Sequence, residues 1–371
     1  MNIHNKPIIL ILVTLVLILV LCAGCTGTTE KNGTGIPVTA NNPVTTPAYT
    51  TASQASGSSC MPITITQSDG KQAMLPCRPG RIIVTNTDAA EMLIALGAAD
   101  TIVGVVESTK NVSYIMDRIP QAVSIGDWQT PNIERMLSLK PDVVISYASS
   151  KPKNLDQITA ANITIVYLDC YRLPKLASDA RAVGVLTGHE QKAEEYAHLI
   201  ENTTSTVMQR VTVVPAAQIP TVYFEGYSDF TAAGTGSGSD DMLIMAGGKN
   251  IAAGLSSSSP KVSAEWVVSQ NPVFIMKVIS AKEARPFSQI VPAMKTRTGW
   301  NTLAAVQQDR IYLLANSIEY GSKSYIGLAY TAKILHPELF TDFNPRQMLD
   351  TYAGEYVAGT NVSVPVFPEP V

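Results

Sequence analysis

The sequence predicts an α/β protein built as two lobes with a cleft between them, and three observations lead there. Short β-branched runs alternate with amphipathic helical stretches, which is the pattern of βαβ units with buried parallel strands. A unit also occurs twice: NIERMLSLKPDVVI (Asn132–Ile145) aligns without a gap with SAEWVVSQNPVFIM (Ser263–Met276), setting Glu134 on Glu265, Ser138 on Ser269 and Pro141 on Pro272. EMLIALGAADTIVG (Glu91–Gly104) matches DMLIMAGGKNIAAG (Asp241–Gly254) in the same order. Finally, a long stretch with one apolar helical face separates the copies. Together these imply two similar, Rossmann-like lobes joined by one long connecting helix, and clefts between lobes are where ligands bind.

Taken in order, the chain opens with MNIHNK, an apolar run from Ile8 to Leu21 and then CAGC. A basic start, a short apolar run and small residues make a signal peptide over residues 1–24. The run is shorter than the roughly 20 residues that a spanning helix needs. The small residues before Cys25 resemble a lipoprotein processing site, with the Cys25 thiol as the lipidation point. Residues 25–59 are rich in Thr, Ser, Pro and Gly and read as a flexible tether. Sequons at Asn32, Asn111, Asn162, Asn202 and Asn361 agree with export. Cys60 and Cys77 flank ITITQSDGKQAML, two alternating strands around an Asp69–Gly70 turn. That hairpin brings them close enough for a disulfide, stabilising by roughly 3 kcal/mol on the chain-entropy model. Cys170, inside an apolar run, is expected to be a buried free thiol.

RIIVTN, TIVGVV, DVVISY and ITIVYLD are the strands expected in an N-terminal lobe over 60–172, with helices at DAAEMLIALGAA, NIERMLSLK and Leu155 to Ala161. Residues 173–214 connect. LPKLASDARAVGVLTG is a helix closing at Gly188, and HEQKAEEYAHLIENTTSTVMQRV follows. The second carries Ala193, Tyr196, Ala197, Ile200, Thr203, Val207 and Val211 on one face. At ~1.5 Å per residue it would run about 35 Å, enough to cross a domain. TVYFEGY, SDDMLIMAGG, AEWVVSQNPVFIM and RIYLLAN then restart the alternation in a C-terminal lobe over 215–371.

The chain is mildly acidic, with a formal net charge of −3, and no basic cluster stands out. Nucleic acid is therefore not an expected partner. Four histidines, at 4, 189, 198 and 336, form no grouping suited to a bare metal ion. GxSxG, HExxH and Walker patterns are absent, so a binding protein without its own catalysis or cofactor is expected, ahead of a cell-surface enzyme or an adhesin. GTGSGSDD (Gly234–Asp241) lacks the terminal Lys-Ser/Thr of a phosphate loop. It reads as a turn on the cleft whose free amides could meet an anionic part of a ligand.

In an open α/β sheet the ligand face lies at the carboxyl ends of the strands. Trp128, Tyr147, Tyr227, Phe230 and Tyr320 all follow strands, so their rings are expected to converge on the cleft as flat surfaces for a large ligand. Glu107, directly after TIVGVV, joins the candidate ligand set. Trp300 and Trp266 read as packing residues. Asn132 and Ser263 are good N-caps, which puts Glu134 and Glu265 at the second position of equivalent helices, where the helix dipole favours an acid by a few tenths to ~1 kcal/mol. A pseudo-twofold would set one carboxylate on the rim of each lobe, spaced to dock two cations of a dimeric partner.

These residues, in this order, resemble the substrate-binding proteins of ABC importers for iron chelates, haem and cobalamin, the class with a helical hinge. The resemblance covers roughly residues 78 to 340. It rests on RPGRIIVTNTDAAEMLIALGAADTIVGV, IGDWQTPNIERMLSLKPDVVI, AGGKNIA with PKVSAEWVVSQNPVFI, GWNTLAAVQQDRIYLL and HPELF. It implies an exported, membrane-tethered monomer that closes modestly on a metal chelate or corrinoid. Delivery would be to a permease dimer with its ATPase subunits. The family's docking glutamates match Glu134 and Glu265. Its cobalamin binders place aromatics at positions matching Trp128, Tyr147 and Phe230, with an acidic or aromatic contact near Glu319 and Tyr320. An aromatic expected before the second docking helix is replaced by Ser256 to Ser259, so siderophore, haem and cobalamin all stay open. Lys110, Lys151, Lys153 and Lys323 are the cations considered for an anionic chelate.

Overall fold

A computed structural model describes residues 60–357 and 365–370. The expected signal segment and tether, Cys25 and the sequons at Asn32 and Asn361 lie outside the described residues. Among the described residues no helix is long and apolar enough to cross a membrane.

An antiparallel hairpin comes first, β1 (Ile63–Thr66) and β2 (Gln72–Leu75). Its turn uses Gly70 at φ +84°, a conformation glycine adopts without a Cβ clash. Cys60 and Cys77 are bonded at its base, with Cα atoms 5.3 Å apart. Ser68 ties the hairpin down, donating to the Asp179 carboxylate at 2.7 Å and accepting the Asp169 amide at 2.7 Å. Cys170 is buried and unbonded.

The N-terminal sheet contains β3 (Ile82–Val84), β4 (Ile102–Val105), β5 (Val123–Ser124), β6 (Val143–Ser146) and β7 (Ile165–Tyr167), all parallel, in the order β5-β4-β3-β6-β7. The C-terminal sheet contains β8 (Thr221–Glu225), β9 (Lys249–Asn250), β10 (Phe274–Ile279), β11 (Ile311–Ala315) and β12 (Val366–Phe367), in the order β12-β11-β10-β8-β9. Only β12 runs antiparallel to its neighbour there. Each sheet starts inside, adds its second strand on one side, and then crosses to the other side at β6 or β10. The switch points β3/β6 and β8/β10 are thus equivalent, and the fold is two-lobed α/β.

The sequence repeat is also a structural one. The helix Ile133–Ser138 leads into β6, and Ala264–Gln270 leads into β10. Asn132 accepts the Arg135 amide at 2.9 Å and Ser263 accepts the Trp266 amide at 3.1 Å, so the caps match residue for residue. The helices Thr87–Ala95 and Gly238–Met245 follow β3 and β8 in the same way.

Two helices make the connector, the second the longer at 22 residues. Helices Leu173–Thr187 and Glu190–Val211 form a hairpin that reverses at Gly188, φ +78°. Gly184 permits the close crossing, since a Cβ there would sit 2.3 Å from that of Ala193. Arg181 clamps the pair, reaching Glu194 at 2.7 Å and Glu201 at 2.5 Å. The second helix buries Ala193, Tyr196, Ala197, Ile200, Thr203 and Val207, the face the spacing indicates. One apolar core, including Leu93, Leu176, Val183, Leu243 and Ile326, is continuous from one lobe through these helices into the other.

Candidate functional site

Parallel strands point their carboxyl ends toward the cleft, and the residue just past each strand decides what the cleft offers. Tyr147 follows β6, Tyr171 follows β7, Tyr227 follows β8, Tyr320 follows β11 and its short helix, and Trp128 follows β5. These rings form an unbroken line across both lobes. Trp128 meets Tyr147 with centroids 5.7 Å apart, Tyr147 meets Tyr171 at 5.9 Å, Tyr171 meets Tyr320 at 6.1 Å and Tyr320 meets Tyr227 at 6.3 Å. The first three contacts are edge-to-face, a favoured aromatic geometry. The rings stay partly or largely exposed, Tyr227 at 51%. Tyr171 was not among the residues singled out from sequence, yet it closes the gap between the lobes; its place just after ITIVYLDC is the same signal that picks out Tyr147.

Two carboxyl groups sit with this line. Asp88, half-buried in the first turn of Thr87–Ala95, accepts the Tyr147 hydroxyl at 3.2 Å. Its other oxygen lies against Gly321, where a Cβ would come within 2.9 Å, so Asp88 reaches across to the C-terminal lobe. Burial and the Glu91 charge push its pKa up to about 7, against Tyr147 and Lys323. Glu319 is 1% exposed; one oxygen accepts the Ser239 hydroxyl at 2.5 Å and the other, Oε2, has no partner. Burial raises its pKa to about 8, with the Asp88 charge contributing.

Deeper between the lobes, Lys323 is wholly buried and ion-paired with Glu91, which also accepts hydroxyls of Tyr114 at 3.1 Å and Tyr352 at 3.0 Å. Arg172 pairs with Asp241 across the lobes, at 3.0 Å through Nε. Of the other lysines considered for an anionic chelate, Lys110 donates to the Ala122 carbonyl and Lys151 stacks over Tyr167. The glycine-rich turn has five of its amides already committed, those of Gly234, Gly236, Ser237, Asp240 and Asp241. Gly236 N–H goes to Asp240 and Asp240 N–H goes to Ser237.

Phe230 stands apart from the ring line. Its backbone has φ +58°, its amide donates to Glu225 at 2.9 Å, and its ring packs edge-on against Trp300 at 6.0 Å beneath the Arg297 guanidinium. The cause is a charge network at the carboxyl ends of β8 and β10, buried at Glu225 and Lys277 and open to solvent at Asp229. Glu225 pairs with Lys277 at 2.8 Å and Arg297 at 2.8 Å, and Asp229 bridges both cations at 3.1 and 2.7 Å. Arg297 draws both aromatic faces to itself, and Trp300 is fully buried there. Glu107 also stays outside the line; its carboxylate accepts the Ser124 hydroxyl at 2.6 Å and its amide donates to Gly126, bracing the loop that carries Trp128.

Glu134 and Glu265 are both exposed, each second in its helix. Because each helix runs back ahead of its strand, each glutamate lies at the carboxyl edge of its sheet, the cleft edge. Its own backbone amide, and after it the Ser263 hydroxyl, hold the Glu265 carboxyl below its usual range. Among the described residues no cluster of His, Cys, Asp or Glu could hold a metal ion. A cavity of about 620 Å³ opens at the opposite, amino-end edge of the C-terminal sheet, beside Pro220, Phe274, Arg310 and His336.

Comparison with known proteins agrees with this architecture. The family model described as "Periplasmic binding protein" matches residues 82–317. An ABC transporter substrate-binding lipoprotein, YvrC of Bacillus subtilis, is 24% identical over 76% of this chain and 88% of its own. The vitamin B12-binding protein of Photorhabdus laumondii is 27% identical over 53% of this chain and 70% of its own. Among solved structures, the TroA-like periplasmic binding protein FepB of Veillonella parvula superposes with a TM-score of 0.70 at 22% identity, covering 82% of this chain and 99% of that one. The family model spans more than half of the sequence, so this chain is a member of the periplasmic binding protein family, whose relatives bind substrates for ABC transporters and are not enzymes.

Proposed function

We propose that the protein is the extracytoplasmic receptor of an ABC importer, held to the outer face of the cytoplasmic membrane by a lipid on Cys25. It captures a metal chelate or corrinoid in the cleft and delivers it to a permease dimer. The observation that carries this reading is the line of rings Trp128–Tyr147–Tyr171–Tyr320–Tyr227, which spans both lobes at the carboxyl ends of both sheets. A contiguous line of partly exposed rings suits a broad planar ligand, whose burial gains about 25 cal/mol per Å² of apolar surface. The acids Glu134 and Glu265, at matching places on either side, suit recognition by two symmetry-related cations of the permease. The relatives' names, an ABC substrate-binding lipoprotein and a vitamin B12-binding protein, point the same way. Protein purified from its native cells should carry a visible absorption band from bound corrinoid, haem or ferric chelate. A colourless preparation that also takes up none of these on addition would refute the ligand class.

A further inference from the structure

The rings set the ligand's shape, and the polar groups beside them set its charge. Asp88 comes from the N-terminal lobe and Glu319 from the C-terminal lobe, and the charges of both reach the phenol of Tyr227. Glu319 Oε2 is buried without a hydrogen-bond partner. Such an orphaned acceptor is costly unless a ligand group meets it. The cations nearby are already neutralised: Lys323 by Glu91, Arg172 by Asp241, and Lys277 with Arg297 by Glu225 and Asp229. A polyanion entering here would lose its water and find two acids.

We propose that Asp88 and Glu319 act as a cross-lobe carboxyl pair that meets hydrogen-bond donors or positive charge on the ligand, restricting the cargo to neutral or cationic planar complexes and excluding polyanionic chelates. This rests on the receptor reading above and narrows its ligand. The groups facing Asp88 are Glu91, Asp169, Lys323 and Tyr147, and those facing Glu319 are Ser239, Tyr320 and Asp88. The acids among them outnumber the single, already paired lysine, so the site becomes more negative as pH rises through the range where Asp88 and Glu319 ionise. Affinity for a cation should therefore rise with pH, and affinity for an anion should fall.

The test uses two porphyrins of one ring size and opposite charge, the tetracationic N-methylpyridinium and the tetraanionic sulfonatophenyl derivatives. Binding is followed by the Soret shift and by quenching of protein fluorescence. At pH 8 the cationic ring should bind at least tenfold more tightly, and the preference should shrink at pH 6. Asp88→Asn with Glu319→Gln should bring the two affinities within about threefold of each other, while Trp128→Ala weakens both. Equal or tighter binding of the anionic ring by the unsubstituted protein would overturn the proposal, as would a preference that neither pH nor the double substitution changes. The pH series needs no variant, so misfolding cannot mask the answer. Uptake by cells is a separate readout: its failure would count against the receptor reading and leave the charge preference standing.

Discussion

The two lobes share a strand plan and differ in how they hold their cleft edges. In the N-terminal lobe the edge is braced by neutral and backbone contacts, such as Asn132 Oδ1 to the Arg135 amide and Glu107 to Ser124, and it presents three rings, Trp128, Tyr147 and Tyr171. In the C-terminal lobe a four-membered charge network, the buried Glu225 and Lys277 and the largely buried Arg297 with the exposed Asp229, bolts the loop after β8. That network takes Phe230 for packing and leaves Tyr227 projecting. One repeated plan thus gives one lobe lined by aromatic rings and another fixed by charge, and the asymmetry predicts where substitutions will hurt.

The largest effect should come from the charge network. Lys277→Met leaves the wholly buried Glu225 with one of its two cations, Arg297, and should lower unfolding stability by about 3–5 kcal/mol. Arg135→Met, an exposed cation on a helix of the N-terminal lobe, should change it by no more than about 0.5 kcal/mol. Denaturant unfolding with an unchanged slope reads both; similar costs for the two would remove the asymmetry.

Next in size is the split between rings. Trp128→Ala should weaken ligand binding by about 1–3 kcal/mol, roughly ten- to hundredfold. Phe230→Leu should leave affinity within about twofold and instead lower stability by about 1 kcal/mol, because its ring serves the C-terminal core. Calorimetric titration with the copurified ligand separates them, and a large affinity loss at Phe230 would return it to the site.

The cleft acids sharpen the comparison through pH. An unfolded glutamate titrates near ~4.3, whereas burial holds Glu319 to about 8. The folded state therefore keeps its proton longer, so stability falls as pH rises from ~4 and levels off above about 8. Glu319→Gln should remove that slope, with a gain on the wild type that grows from about 1 kcal/mol at pH 5 to several kcal/mol, at most about 5, above pH 8. Asp88→Asn in the N-terminal lobe should gain less, since Asp88 is held only to about 7. Melting curves across that range that run parallel for wild type and variant would contradict the raised pKa.

Local chemistry explains what could be read from the sequence. The matched starts at Asn132/Glu134 and Ser263/Glu265 depend on caps within three residues, so sequence alone places them. The longer strands follow from β-branched runs, whereas β5, β9 and β12 are two residues each and depend on their neighbours for pairing. The diversion of Phe230 needed Arg297 and Trp300, far along the chain, and no local pattern announces it. Asp88 looks like any acid in a helical first turn until Gly321 is seen against it. The close packing of the two connecting helices depends on Gly184 lying against Ala193, a contact between two helices that no local pattern announces.

Transport by cells carrying Glu134→Lys together with Glu265→Lys tests the delivery role of the duplicated acids most directly. Uptake should drop to the level of cells lacking the protein while the purified double variant binds ligand within twofold of wild type, and each single reversal should give a similar partial loss. Uptake at the normal rate by the double variant would show that these two carboxylates do not meet the permease.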